Sequence, residues 1–350
     1  MLKVKDLPIP TFKLIGLTYV LPNMQTRILL IAVFVFSIFS SCTKDEDLPP
    51  DNTLDHKQKM REFVIGISEY SKAINSNFYI VPQNGIELVS TTGDEDGQAH
   101  SSYLNAIDGN GQEDLFYGYD EDDQATPGID NAYLRVFLDI SKNEGKKIIV
   151  TDYCSTHSKM DDSYTTNNAN GYVSFSADHR ELDNIPEYPI TIYAENNIQV
   201  SDLSEIKNFL YLINPDNFNS KADFINAVTS TNYDLLIMDL FFHDGSEFSI
   251  SEVDQLKSKA NGGSRLILSY MSIGEAEDYR YYWDNDWNNN KPSWLKEENP
   301  DWAGNFKVEY WNKDWQNIIY GNDNSYLKKI VDANFDGVYL DIIDAFEYFE

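Results

Sequence analysis

Short apolar runs alternate with helix-like segments over most of this 350-residue chain, and the alternation restricts the folds that it can adopt. The runs are apolar throughout, which is typical of parallel strands covered on both faces. Strands are predicted at 78–82, 103–107, 147–151, 209–213, 235–238, 266–270, 306–310 and 337–340. Helical spacing of apolar residues predicts helices at 62–73, 130–144, 220–230, 249–260 and 324–333. Eight strands separated by helices or long loops favour a (β/α)8 TIM barrel over an open doubly wound sheet.

The first 41 residues are predicted to be an export signal rather than part of the fold. An apolar run from Ile28 to Phe39 follows Arg27 and precedes Ser40, Ser41 and Cys42. The run is too short to span a bilayer, which needs roughly 20 apolar residues. Small residues followed by a cysteine resemble a bacterial lipoprotein signal, with Cys42 as the lipidated residue. A plain secretory signal, in which Cys42 is incidental, is the alternative.

Three segments are therefore expected along the chain. They are a signal at 1–41, whose true start could be Met24, a lipidated tether at 42–57, and a single barrel domain at 58–350 with an extended connection around 155–207. The acidic stretch from Thr43 to Asp47 resembles the tag that sends some lipoproteins to the cell surface. We expect an exported bacterial lipoprotein at the outer membrane or cell surface, which touches the membrane through its lipid anchor only.

Composition narrows the possible partners. The formal net charge is −30, so a phosphate backbone would be repelled and nucleic acid is excluded as a partner. No glycine-rich phosphate loop follows any predicted strand, and the five histidines have no ligand spacing, so no cofactor or metal is expected. The acidic run at 120–123 could bind calcium or be a solvated loop. Aromatic side chains, 23 Tyr, 19 Phe and 6 Trp, could stack on sugars or fill the core. A monomer that binds a polysaccharide is predicted.

Acidic residues follow many of the predicted strands. In a parallel barrel the active site lies at the carboxyl ends of the strands, so these residues would share one rim. Clustered carboxylates raise one another's pKa values, which lets one act as an acid and another as a base or nucleophile. Two such groups are sufficient to hydrolyse a glycosidic bond. A strand-end Asp can also simply cap the next helix, and Asp239 or Asp344 could do only that.

Two segments, 270–280 and 335–345, resemble glycoside hydrolase family 114, the endo-α-1,4-polygalactosaminidase-like barrels. Shorter stretches at 82–85, 112–115, 150–153 and 302–305 fit the same family. The order of the motifs differs from the family's usual order, because the strand ending at Asp341 comes last rather than mid-chain. The resemblance therefore implies a circularly permuted barrel, with the former termini joined through residues 178–208. It also implies a glycosidase acting on an amino-sugar polymer, whose free amines are cationic.

The resemblance assigns roles by motif. Asp341 and Glu113 would be the catalytic pair, with Glu113 as general acid and Asp341 as nucleophile or base. Arg280 could hold a rim carboxylate ionised or form a purely structural ion pair. The remaining candidates would bind substrate or tune pKa values; they are Asn84, Asp152, Tyr153, Asp239, Glu275, Glu277, Tyr310, Trp311 and Asp344. Among these, Tyr153, Tyr310 and Trp311 are predicted stacking platforms. A glycan-binding barrel without catalysis is the alternative function, and the missing histidine ligands disfavour a metal-dependent deacetylase.

Overall fold

The computed structural model describes residues 54–350, so the predicted signal, Cys42 and most of the tether lie outside it. The helices are α1 (His56–Ile74), α2 (Ser101–Ala106), α3 (Gly128–Asn143), α4 (His157–Ala169), α5 (Lys221–Thr229), α6 (Ile250–Leu256), α7 (Lys313–Ile319) and α8 (Tyr326–Asp332). The strands are β1 (Tyr79–Pro82), β2 (Gly109–Glu113), β3 (Lys147–Tyr153), β4 (Val173–Ala177), β5 (Leu210–Tyr211), β6 (Leu235–Met238), β7 (Leu266–Ser272), β8 (Glu275–Glu277), β9 (Leu295–Glu298), β10 (Asn305–Val308) and β11 (Gly337–Asp341). Within this part of the chain, no helix is both long and apolar enough to cross a bilayer.

Eight of the strands are parallel and form a barrel-like α/β domain. One sheet has the order β1-β11-β7-β6-β5 and a second has the order β2-β3-β4. A parallel bridge between Gln83 and Gly111 joins β1 to β2, so the two sheets continue into each other on that side. On the other side, the described residues contain no ladder between β4 and β5. The α/β class is confirmed, whereas the predicted closed barrel is not found.

The gap between β4 and β5 is spanned by loops. β5 has only two residues, and the backbone N–H groups of Ile213 and Asn214 beyond it both donate to the Leu182 carbonyl, at 3.1 and 3.2 Å. Leu182 lies in the segment that follows β4 and has a positive φ of 49°. The chain turns at Leu182 instead of continuing as a strand. The backbone beyond β5 therefore bonds to this loop and not to a neighbouring strand.

The strand nearest the end of the chain lies beside the first one. β11 pairs in parallel with both β7 and β1, and Tyr79 is opposite Gly337 while Pro82 is opposite Leu340. A Cβ at Gly337 would overlap the Tyr79 carbonyl oxygen, so glycine permits this close approach. The pairing brings the carboxyl ends of β1 and β11 to the same edge of the sheet.

One of the eight predicted strands is wrong, and another lies outside the parallel sheets. Residues 103–107 fall mainly in α2, which buries Tyr103 and Leu104 on one face. The true strand, β2, follows it as Gly-Asn-Gly-Gln-Glu, a sequence with little strand propensity. A Cβ at Gly111 would overlap the Tyr339 hydroxyl, so the space inside the sheet requires glycine there. The predicted strand at 306–310 corresponds to β10, which pairs antiparallel with β8 and β9 outside the parallel sheets.

The predicted extended connection at 155–207 is also partly wrong. It contains α4 and β4, and β4 restores the number of parallel strands to eight. The α4 sequence is rich in Ser, Thr, Asn and Asp, so it lacks the apolar spacing that indicates a helix. The helix forms because Ser163 and Asn167 donate to the buried Asp152 carboxylate at 2.6 and 2.8 Å. Only residues after β4 form an irregular connection, with a short 3₁₀ helix at Leu203–Glu205.

The remaining helix predictions are confirmed with shifted ends. α1 begins six residues earlier than predicted and buries Phe63 and Ile67 against the sheet. Fully burying a side chain of this size contributes about 1.5–3 kcal/mol. α3 ends before Gly145, whose φ of 78° supplies the left-handed turn that stops the helix.

Candidate active site

One glutamine side chain joins the two predicted catalytic carboxylates. Gln83 lies directly after β1, and its Nε2 donates to Glu113 Oε2 at 2.9 Å and to Asp341 Oδ1 at 3.0 Å. Glu113 ends β2 and Asp341 ends β11, the two strands that flank β1. Because one nitrogen bonds both, the two bridged oxygens lie within about 6 Å of each other. The structure thus brings together residues that are 228 positions apart in the printed sequence.

Glu113 is held by three donors. Besides Gln83, Asn84 Nδ2 donates to Oε2 at 2.9 Å and the Tyr153 hydroxyl donates to Oε1. The amide oxygen of Asn84 in turn accepts the backbone N–H of Glu113 at 3.0 Å. Burial and the adjacent negative charge of Glu113 raise the pKa of Tyr153 far above its ordinary value, so its hydroxyl stays protonated and can donate.

Asp341 has a strongly perturbed pKa. Burial, followed by the negative charge of Glu113, raises the pKa of the Asp341 carboxyl to about 7. The Tyr270 hydroxyl donates to Asp341 Oδ2 at 2.7 Å and opposes this shift. The raised pKa lets the Asp341 carboxyl exchange a proton near neutral pH. Both side chains remain partly exposed, so a ligand can reach them.

A tyrosine fixes the orientation of the bridging amide. The Tyr211 hydroxyl of β5 donates to Gln83 Oε1 at 3.0 Å, which leaves the amide nitrogen of Gln83 facing the carboxylates. Burial and the charge of Asp341 raise the pKa of Tyr211 well above its ordinary value, so it is always a donor here. The predicted site residues included Asn84 but not its neighbour Gln83, and they did not include Tyr211 or Tyr270. Gln83 was indicated by its position just past a strand and by the family-like stretch at 82–85, whereas the two tyrosines had only their position within strands.

The three strands that carry this site end in the same way. Gln83, Glu113 and Asp341 are each followed by a non-glycine residue with positive φ: Asn84 at 59°, Asp114 at 57° and Ile342 at 57°. Positive φ is unusual for a β-branched residue such as Ile342 and costs on the order of 1–3 kcal/mol. Each turn takes the chain sharply away from the strand. Such strain is typical of functional sites, where the surrounding structure holds the residue in place.

A second pair of carboxylates lies on the same rim. Asp239 follows β6 and Glu277 ends β8; Arg280 Nη1 contacts Asp239 Oδ2 at 2.7 Å and Nε contacts Glu277 Oε2 at 2.6 Å. Burial alone would lower the pKa of Arg280, but the two carboxylates hold it well above its ordinary value. All three side chains are buried. Arg280 therefore forms ion pairs with two of the predicted substrate-binding residues.

Several predicted substrate-binding residues are engaged elsewhere. Asp152 is fully buried and accepts the backbone N–H groups of Phe116 and Tyr117 as well as the α4 side chains. Tyr310 is also fully buried, and its hydroxyl donates to the His56 carbonyl at 2.8 Å. The predictions that Asp152 binds substrate and that Tyr310 is a stacking platform are therefore wrong, because neither is accessible.

The other candidates are only partly available. Tyr153 is buried beneath the Arg180 guanidinium, 4.2 Å from its ring centroid, so it positions Glu113 instead of stacking on a sugar. Glu275 is buried and accepts from Asn299 and Tyr348, both at 2.9 Å. Trp311 packs on His56 and Phe349, with ring centroids 4.9 and 4.8 Å away.

Asp344 lies in the 3₁₀ helix Ile343–Tyr348 just beyond Asp341. Burial raises the pKa of Asp344 to about 7. Within residues 54–350, no group of three or more His, Cys, Asp and Glu side chains is arranged to hold a metal ion. In the acidic run at 120–123, Asp122 pairs with Arg180, and Asp123 pairs with Lys159 and accepts from the start of α4.

One part of the chain matches a known protein family. Residues 212–349 match the model of glycoside hydrolase family GH114, which confirms the predicted resemblance for this region. The matched segment begins just after β5 and ends just after β11. It contains Asp239, Glu277 and Asp341, whereas Glu113 lies outside it.

Three curated relatives are similar to parts of the chain, and all three are uncharacterized proteins. One from Methanocaldococcus jannaschii is 42% identical over 158 residues, 44% of this chain and 42% of its own. One from Thermotoga maritima is 40% identical over 35% of this chain and 36% of its own. One from Deinococcus radiodurans is 39% identical over 35% of this chain and 37% of its own. The matched segments thus span well under half the length of these relatives.

Proposed function

From the family GH114 match of residues 212–349, which indicates a glycosidase, we propose that this protein hydrolyses a polysaccharide with Asp341 and Glu113 as its two reacting carboxylates. One observation carries the proposal: a single amide nitrogen, Gln83 Nε2, contacts both carboxylates at the meeting point of β1, β2 and β11. Paired carboxylates at this separation are what glycosidic bond cleavage requires. A protein that only binds glycans has no need of two opposed carboxylates.

In the proposed reaction, Glu113 donates its proton to the glycosidic oxygen while the C–O bond breaks, and the Asp341 carboxylate attacks the anomeric carbon. Water then enters, loses a proton to Glu113 and displaces Asp341 from the sugar, which restores both groups. A separation within about 6 Å is closer to the roughly 5–5.5 Å of retaining enzymes than to the roughly 6.5–9.5 Å of inverting ones. The product would therefore keep its anomeric configuration, which NMR of the first product formed can test.

The pKa of Asp341 suits this reaction. Because it is raised to about 7, the carboxyl can exchange a proton near neutral pH. Tyr270 and Tyr153 stay protonated and donate to Asp341 and Glu113 respectively. These hydrogen bonds stabilise the ionised forms of the two carboxylates.

An amino-sugar polymer is the proposed substrate, with endo cleavage as the mode of attack. The net charge of −30 attracts a polymer of free amines and repels one of uronic acids. The proposed location is the cell surface, where the lipid on Cys42 would anchor the domain. Labelling of the expressed protein with a fatty-acid analogue, with Cys42→Ser as the control, tests the anchor. Label retained by Cys42→Ser would rule it out.

A circularly permuted order is also proposed. Its support is the parallel pairing of β11 with β1, which makes the end of the domain continuous with its beginning. A rearranged chain that begins near residue 208, runs through Glu350 into residue 55 and ends near residue 182 should then fold. We expect the rearranged protein to unfold cooperatively and to keep the wild-type activity. A rearranged chain that is soluble but shows no cooperative unfolding would contradict the proposal.

The activity test compares wild type, Asp341→Asn and Glu113→Gln for release of reducing ends from partially deacetylated polygalactosamine. We expect release by wild type only. If wild type binds the polymer but releases nothing from any amino-sugar polymer, the protein is a glycan binder. Glu113→Gln, which lacks the acid, should regain activity on substrates with activated leaving groups. Asp341→Asn, which lacks the nucleophile, should regain activity when azide is added. The opposite pattern would mean that Asp341 is the acid and Glu113 the nucleophile.

A further inference from the structure

A cavity of about 610 Å³ lies at the carboxyl ends of β5 and β6, and the proposed chemistry does not use it. Its lining includes Asp216 beyond β5, Asp239 beyond β6, and the aromatic side chains of Phe241, Phe242, Tyr279 and Tyr281. This volume falls in the range of sites that bind small organic groups. Arg280 and Asp239 line the cavity as an ion pair, and Arg280 also pairs with Glu277.

The strand order gives the direction from the carboxylate pair to this cavity. In the five-stranded sheet, β6 is two strands away from β11, so the cavity begins roughly 10 Å from Asp341 along the rim. β2, which carries Glu113, lies on the other side of β11 beyond β1. The cavity is therefore on the Asp341 side of the pair. A polymer with its scissile bond between the two carboxylates would extend across β7 towards it.

Two tyrosines of the cavity have exposed rings on fixed supports. Tyr279 and Tyr281 are 62% and 42% exposed. The Tyr279 hydroxyl donates to Glu277 Oε1 at 2.7 Å, and that of Tyr281 donates to the Asn324 carbonyl at 3.2 Å. The ring of Tyr281 also stacks on Phe241, with centroids 5.6 Å apart. Because their hydroxyls are held while much of each ring is exposed, the rings can contact a sugar with little loss of side-chain entropy.

Charge further restricts the ligand. Arg280 is paired with two carboxylates, Asp239 and Glu277, so it adds no net positive charge to the wall. Asp216 adds an exposed carboxylate at the opening. A uronic acid would be repelled from such a cavity, whereas a neutral or amine-bearing pyranose would be accepted.

We infer that this cavity is a glycone-side subsite, which binds an amine-bearing pyranose ring of the polymer at least one residue beyond the sugar that Asp341 attacks. The inference rests on the proposed function, because the side of the chain follows from Asp341 as nucleophile. Tyr279 and Tyr281 supply the stacking surface, and Asp216 faces the amine. The site thereby favours long chains and internal cleavage.

The test measures kcat and KM on defined galactosamine oligomers from trimer to octamer. We expect Tyr279→Ala and Tyr281→Ala each to lower kcat/KM about tenfold on the long oligomers, because each removes one stacking ring. The kcat/KM on the trimer should be unaffected. Tyr279→Phe keeps the ring and loses only the hydroxyl that bonds Glu277, so it should keep most of the kcat/KM on long oligomers that Tyr279→Ala loses. Tyr70→Ala is the matched control. Tyr70 lies in α1, and its hydroxyl donates to the Asn322 carbonyl, two residues from the Asn324 carbonyl that Tyr281 bonds.

Two outcomes would overturn the inference: an equal loss at every oligomer length, or the same length-dependent loss in Tyr70→Ala. For the charge, Asp216→Asn should weaken the preference for galactosamine oligomers over their N-acetylated forms, and an unchanged preference would contradict the amine contact. Calorimetry of the octamer with the Asp341→Asn, Glu113→Gln double variant separates the two proposals. Binding that depends on Tyr279, with no cleavage by wild type, would sustain the subsite and refute the hydrolase.

Discussion

Two pairs of carboxylates on one rim differ in the group that joins them. Glu113 and Asp341 share the neutral amide of Gln83, whereas Asp239 and Glu277 share the guanidinium of Arg280. An amide donates hydrogen bonds but brings no charge, so the repulsion between Glu113 and Asp341 persists. With burial, it raises the pKa of Asp341 to about 7. Burial also pushes the pKa of Asp239 upward, but Arg280 pulls it back.

The difference separates a reactive pair from a structural one. In a pair joined by a neutral donor the repulsion between the carboxylates persists, and burial together with this repulsion raises the pKa of Asp341 into the range where acid–base catalysis operates. A pair joined by a cation is neutralised, and its three members depend on one another for stability. The same residue types at neighbouring strand ends can thus have opposite roles, and the bridging side chain decides between them.

The largest expected effect is on catalysis. Asp341→Asn or Glu113→Gln should lower kcat by on the order of 10³-fold or more, because each removes one of the two reacting groups. The melting temperature should not fall in either variant. Steady-state kinetics and thermal unfolding of the same preparations check this contrast. If Asp341→Asn is active, the distinction between a reactive pair and a structural pair is wrong.

The next effect is on stability. Arg280→Met should lower the free energy of unfolding by about 3–5 kcal/mol, since it leaves Asp239 and Glu277 buried without a cation. A triple variant, Asp239→Asn, Glu277→Gln and Arg280→Met, removes all the charges and should recover most of that loss. Urea unfolding measures both. If the single substitution leaves stability unchanged, the Arg280 ion pairs are not structural.

A smaller effect concerns the pH dependence of stability. The pKa of Asp341 is higher in the folded protein, about 7, than its ordinary 3.8, so the folded state binds more protons between these values. This carboxyl therefore makes the wild type less stable as the pH rises from about 4 to about 7. Asp341→Asn should be more stable than wild type by about 1–2 kcal/mol at pH 8, allowing for screening, and equal to it near pH 4. Unfolding at both pH values measures the difference, and a gain at pH 4 alone would contradict this sign.

The smallest effect should come from Tyr211→Phe. Without the Tyr211 hydroxyl, the Gln83 amide loses the partner that keeps its nitrogen facing the carboxylates, so the ionised pair is less well stabilised. The upper pKa of the kcat/KM profile should rise by less than about one pH unit, with a loss of a fewfold in rate. Tyr339→Phe is the matched control. The Tyr339 ring lies 5.3 Å from that of Tyr211, and its buried hydroxyl has no hydrogen-bond partner in residues 54–350. Equal shifts in both variants would refute an orienting role.

The accuracy of the sequence interpretation followed the kind of signal available. Apolar strands such as β6 and β7 were located because every residue in them is buried and apolarity alone marks them. β2 was missed because its buried residues are Gly, Asn and Gln, selected by the narrow space beside Tyr339. α4 was missed because its buried face places Ser163 and Asn167, which bond Asp152, beside Met160 and Tyr164, so the apolar spacing is weak. The number of parallel strands was right, although one predicted strand is a helix and another pairs antiparallel outside these sheets.

The sequence by itself determined the α/β class, most helices, and the two strand-end acids Asp341 and Glu113. These features depend on local periodicity or on motifs that remain adjacent in the chain. Only the tertiary structure decided which acids meet, since the Gln83 bridge joins strands from opposite ends of the domain. It also decided that Asp152 and Tyr310 are buried and that Arg280 neutralises the second pair. Burial and charge pairing depend on contacts between distant segments, which no local pattern encodes.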